Sequence, residues 1–235
     1  MSGHSITDEP LHVMVIFYNS IGIRADFLYT IGGQPPGEYK RERGRIESMN
    51  NRLQKKKIKK IVHHTLEKID ISLDVHIQTT QVNMIYDFIQ NLLIIDIDRV
   101  RKARNEMNTP VPLEDYIKAL VLHEVGHYLD QEALWASVPR TLEIRKIKRE
   151  TPYFERTKDL DLFQMDIEEH EMEYTFEETA WNNAAVLNEQ FNMVGWDSFE
   201  QVRFESLLSY TAVYNRDLLI YQALLKQKTG KQLAV

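Results

Sequence analysis

The 235-residue chain has no cysteine. Disulfides, thiolate metal ligands and cysteine nucleophiles are excluded, and the absence fits a reducing compartment such as the cytosol. It also has no apolar run near the roughly 20 residues that a helix needs to span a bilayer. The best N-terminal candidate, Val13 to Tyr18, is short and follows Asp8 and Glu9; it lacks the basic leader of a secretory signal. The expectation is a cytoplasmic protein with no membrane partner. Basic residues are outnumbered, 29 Lys and Arg against 35 Asp and Glu, for a net charge of -6. That balance argues against a general nucleic-acid binder. What remains is ordinary for a globular protein, 43% hydrophobic and 27% charged. The length suffices for one substantial core, and we read residues 1–235 as a single domain.

Hydrophobic patterning divides the chain into a strand-bearing first half and a helical second half. Leu11 to Asn19 reads as a buried strand, with Ile21 to Thr30 as its hairpin partner. Ile46 to Ile69 reads as a helix, because Ile58, Ile61, Val62, Leu66 and Ile69 form one stripe. Ile71 to Thr79 alternates apolar and polar residues like a half-buried strand. Val82 to Gln90 reads as a short helix, Leu92 to Asp98 as a buried strand and Arg99 to Pro112 as a charged loop. A helix is expected from Leu113 to Trp135, then a charged, exposed stretch from Thr141 to Lys158. No proline occurs beyond Pro152, and helices are predicted over Phe176 to Phe191 and Ser198 to Gln227, joined by a loop at Asn192 to Asp197. Strands first and helices later indicate an α+β fold.

The stretch with the most chemical content is Tyr116 to Asp130. It contains His123-Glu124-Val125-Gly126-His127, an HExxH motif on an apolar helical pattern. Histidines four apart on a helix have Cβ atoms roughly 5–6 Å apart. Two imidazoles so placed can share a tetrahedral Zn2+. Glu124 in this pattern is not a ligand; it is the base that takes a proton from the water on the zinc. Gly126 is a poor helix former, so its presence fits either a close approach to the backbone or tight helix packing.

A catalytic zinc needs a third protein ligand, and Glu168 to Ala185 is the acidic segment that offers one. Here the chain resembles the zincin metallopeptidases in which a later helix supplies a glutamate in an E-x-x-A or E-x-x-S setting. Glu177-x-x-Ala180 matches that pattern. The bacterial and phage ImmA/IrrE-like peptidases have a related E-x-x-A-N arrangement, followed by an alanine at a position like Ala184. The resemblance implies a zincin-like α+β fold: a small N-terminal mixed sheet with an active-site helix, then a helical C-terminal half. It implies a zinc metallopeptidase acting on a protein or peptide, with His123, His127 and Glu177 on the metal and Glu124 as general base. It also implies a peptide lying along an edge strand, for which Leu92 to Asp98 is the candidate. The chain departs from the pattern at Trp181, where many relatives carry an Asp or Asn that orients a zinc-bound histidine; Asn182 or Asn183 is the alternative for that role. The interval from His127 to Glu177 is also longer than in ImmA-like proteins and closer to that in relatives of anthrax lethal factor.

Glu178 and His170 are rivals to Glu177 as the third ligand. Ala180, Trp181, Ala184 and Leu187 share the helical face of Glu177, whereas Asn182, Ala185 and Glu189 share that of Glu178. Glu173, one turn earlier, adds negative potential. Tyr174, Tyr210, Tyr214 and Tyr221 are candidates for stabilising an oxyanion. A basic segment over residues 40–60, including Arg41, Arg43, Arg45, Arg52 and Lys55 to Lys57, is either a solvated face or a contact for nucleic acid or an acidic partner. His63 and His64 are adjacent and point to different faces. Asp96 and Asp98 share a strand face that is either solvated or cation-binding. Two readings compete with the peptidase: a catalytically silent zincin-fold regulatory protein, and a nucleic-acid-associated protein using the basic segment.

Overall fold

The computed structural model describes residues 39–232. The strands expected at Leu11–Asn19 and Ile21–Thr30 lie outside the described residues. Helix α1 spans Tyr39–Lys68. Its apolar stripe of Ile58, Val62, Leu66 and Ile69 is buried as expected. The helix stops where Asp70 adopts φ 57°, which lets Asp70 N–H bond the Glu67 carbonyl and Ile71 N–H the Leu66 carbonyl.

A three-stranded sheet follows, built from β1 (Asp74–Ile77), β2 (Met84–Asp87) and β3 (Leu92–Ile95) in the order β1-β3-β2. β1 pairs parallel with β3, and β2 pairs antiparallel with it. Three expectations fail here. Val82 to Gln90 is not a helix: Met84 to Asp87 is a strand, buried on both faces, so it shows no alternation by which to recognise it. The hairpin after it is closed by Asp87, whose Oδ1 accepts from the Ile89 and Gln90 amides. β3 is the central strand, not an edge; both its edges are taken, so it cannot receive a peptide as an added strand. The strand expected over Ile71 to Thr79 shrinks to Asp74–Ile77, and Ile77 is 48% exposed.

Arg99 to Pro112 is not simply a loop, because helix α2 spans Ile97–Glu106. Asp96 caps it through the Arg99 amide, and its other carboxylate oxygen holds the Thr80 and Gln81 amides. Asp96 is therefore a buried structural cap rather than a solvated or cation-binding group, and Asp98 pairs with Lys55.

Helix α3 (Leu113–Leu129) carries the motif and runs through the centre of the core, burying Tyr116, Ile117, Ala119 to Leu122 and Val125. It ends earlier than expected, at Asp130, and α4 (Gln131–Glu150) begins. The stretch from Thr141 to Lys158 is not all exposed. Thr141, Ile144, Arg145 and Arg156 are buried; Arg156 ends the short helix α5 (Tyr153–Arg156) and makes a bidentate pair with Asp166 of the following helix. Helix α6 (Leu160–Phe191) starts 16 residues before Phe176, capped by Asp159. Asn192 at φ 48° ends it. Helix α7 (Trp196–Gln232) is the last of the described elements. α3 packs against α6, α1 and the sheet, and α7 lies against α6. The molecule is α+β, with a small mixed sheet ahead of a helical half. No helix among the described residues is long and apolar enough to cross a membrane.

Candidate metal centre

The site begins with a helix crossing that only glycine permits. A Cβ on Gly126 would sit 2.1 Å from the Ala180 carbonyl oxygen and 2.9 Å from its Cα. Both are backbone atoms that no rotamer change can move away. The Asn183 amide pins the crossing by donating to the Gly126 carbonyl at 3.0 Å. Both explanations for the glycine therefore converge: what approaches the backbone is the partner helix.

This crossing brings the turn of α6 before Ala180 over the two histidines. His123 and His127 have ring centroids 4.7 Å apart. Glu177 reaches both: Oε2 lies 3.2 Å from His123 Nε2 and Oε1 3.3 Å from His127 Nε2. All three residues are at most 6% exposed, and their ligand atoms lie within 4.8 Å of one another. Glu178 is exposed. His170 bonds Asp217 at 2.9 Å and does not join the group.

The group fits a metal ion on two observations. Tetrahedral zinc with bonds of about 2.0–2.1 Å holds its ligand atoms roughly 3.3–3.4 Å apart, close to the two histidine–carboxylate separations. His127 Nε2 is buried and has no hydrogen-bond partner; the distance to Glu177 is short but the geometry is not that of a hydrogen bond. A buried ring nitrogen left over in this way is an unsatisfied polar atom that a cation would satisfy. Two imidazoles and one carboxylate suit first-row divalent ions, zinc among them.

Burial pushes the Glu177 carboxyl up, but the two imidazoles overcome it and hold the group well below the usual carboxylate range. Burial pulls His127 down, and the contact with Glu177 more than reverses that. Glu124 is buried beside this group. Burial drives its pKa up and the Glu177 charge adds to the rise, against the opposing pull of His123, His127 and the Tyr86 amide. Its Oε2 accepts the Tyr86 backbone N–H of β2 at 2.7 Å. A helix over Val82 to Gln90, as expected from the sequence, would not offer this amide; the strand does.

No family model, curated protein or solved structure matches this chain.

Several expected roles go elsewhere. Asn182 accepts from Arg203 and Asn183 is spent on Gly126, so neither bonds a histidine of the site. Trp181 instead stacks on the His123 ring, with centroids 4.5 Å apart and planes at 24°. Tyr214 bonds Glu171. His63 and His64 are exposed on α1, and Lys56, Lys57, Lys59 and Lys60 line its outer side.

Proposed function

We propose that this chain is a zinc-dependent metallopeptidase of the zincin type, hydrolysing peptide bonds. The convergence of His123 Nε2, His127 Nε2 and the Glu177 carboxylate beside a separate buried carboxylate, Glu124, carries the reading. His123, His127 and Glu177 would hold the ion. A bound zinc of this kind polarises a carbonyl and makes its water acidic near neutral pH. Glu124 would take up and return the proton. Its Oε2 is tied to the Tyr86 amide, which leaves Oε1 as the basic atom and fixes the plane of the carboxylate. Burial raises the proton affinity of Glu124, which suits a group that must hold a proton between two steps.

The near-complete burial of these four residues favours a second reading, a metal-binding regulatory module without turnover. Metal analysis of the purified chain, followed by peptide-library hydrolysis with Glu124→Gln as control, separates the two. About one zinc per chain with cleavage that the control lacks supports the peptidase. Zinc without cleavage supports the module, and absence of bound metal after zinc loading defeats both.

A further inference from the structure

A histidine that binds metal through Nε2 ordinarily donates its Nδ1–H to a carboxylate or carbonyl, which fixes the ring. His123 has no such partner: its Nδ1 is buried and makes no hydrogen bond. Something else must hold the ring in line with His127 and Glu177. Trp181 is placed to do so. Its indole is fully buried and lies nearly parallel to the imidazole at 4.5 Å. Phe199 abuts it edge-on at 5.6 Å and is itself met by Trp196 at 5.5 Å, so the indole is braced against swinging. Trp181 also follows Glu177 by one helical turn, so a single element delivers both the carboxylate ligand and the stacking surface. The indole N–H has no partner either. A buried donor left unsatisfied is costly, and an apolar side chain would fill the space without that cost. The aromatic face itself is therefore the feature with a use.

We infer that Trp181 is a positioning residue for the metal: its indole face orients the His123 imidazole for ligation and favours the metal-bound ring over the free one. The inference rests on the metal reading above. An imidazole on a divalent cation is depleted of electron density, and tryptophan offers the best face of any side chain for a positive partner. The stack thus strengthens when metal enters, and that difference adds to affinity.

Zinc affinity of the full chain, measured by competition with a chelator, tests this without reference to turnover. Trp181→Leu should weaken binding about 10- to 100-fold, as loss of a group supporting a ligand does. Trp181→Phe, which keeps a smaller face, should fall between Leu and the native residue. Because Trp181→Leu can also disturb packing, a second measurement decides. In a Trp135→Phe, Trp196→Phe background, 5-fluoro- and then more heavily fluorinated tryptophan at position 181 should weaken zinc binding stepwise, by roughly 3-fold or more in all. The melting temperature of the metal-free protein should hold, since the ring keeps its shape. Equal affinity across the fluorinated series overturns the inference and leaves the metal site standing. A native chain that takes up no zinc overturns both.

Discussion

At the scale of single residues, the proposed function gives Glu124 and Glu177 different work. Glu124→Gln preserves shape and should retain zinc, while hydrolysis falls by about 10²- to 10⁴-fold, the usual contribution of a positioned base. Unchanged cleavage by this variant would show that another group moves the proton. Glu177→Ala should weaken zinc binding and remove activity, whereas Glu178→Ala should change neither, because Glu178 faces solvent. Chelator competition on the two variants gives the order. The reverse order would place α6 in a different register on α3. The pairing of His123 with His127 was legible because HExxH is a local pattern that puts both imidazoles within five positions of one helix. Glu177 was legible only through its companions, since Ala180, Trp181, Ala184 and Leu187 mark an apolar face that the structure buries. Tyr86 was not legible. Its contribution is a backbone N–H, which leaves no trace in side-chain identity, and Trp181 stood out only as a departure from an expected Asp or Asn.

Among the elements, the α3–α6 crossing controls whether the site exists. Alanine for glycine inside a helix ordinarily gains about 1 kcal/mol. Gly126→Ala should do the opposite. The new methyl meets backbone atoms of Ala180, and overpacking of this kind costs about 1–3 kcal/mol or more. Urea denaturation should show the loss, and zinc affinity should drop with it as Glu177 is pushed from the histidines. A stabilised variant with normal zinc affinity would mean the helices are not in this contact. Helix α6 also carries the half-buried Glu173, whose pKa desolvation and the neighbouring Glu169 push up to about 7 against His170, Lys148 and Arg145. Its folded pKa lies above its unfolded value, so the native state holds the extra proton and stability declines as pH rises between those two values. Glu173→Gln should therefore raise the melting temperature at pH 8 and change it little at pH 5; a larger gain at pH 5 would contradict the assignment. The elements misread from sequence have separate causes. β2 is buried on both faces and so lacks the alternation that marks a half-buried strand. α2 buries only Ile97 and Val100, a dry stripe too short to stand out among its charged residues, and α4 hides Arg145 beside Glu169 of α6, where a charged residue reads as exposed.

For the whole molecule, a site built from two helices distant in sequence ties metal binding to folding. An ion that binds only the folded chain adds about 2.7 kcal/mol at a free concentration 100-fold above its dissociation constant. For a chain of this size that corresponds to a rise of about 5–10 °C in melting temperature. Calorimetry with and without chelator should show it, and His123→Ala with His127→Ala should abolish it. Equal melting temperatures for the native chain in zinc and in chelator would sink the site. The overall plan of strands first and helices later was visible in the sequence, because it follows from the order of patterns. The order β1-β3-β2 was not, since which strand becomes central depends on pairings between segments that the pattern of any one segment does not encode.

The hydrogen bond from Tyr86 ties the proposed base, Glu124, to the sheet, while the clamp between α3 and α6 brings the proposed ligands together. A small shift of β2 would turn the carboxylate without loosening the ion. Under the proposed function, a change in the strand would slow turnover while leaving the metal in place, and a change at the clamp would release the metal. An engineer seeking a metal-responsive fold would therefore work on the clamp rather than on the sheet.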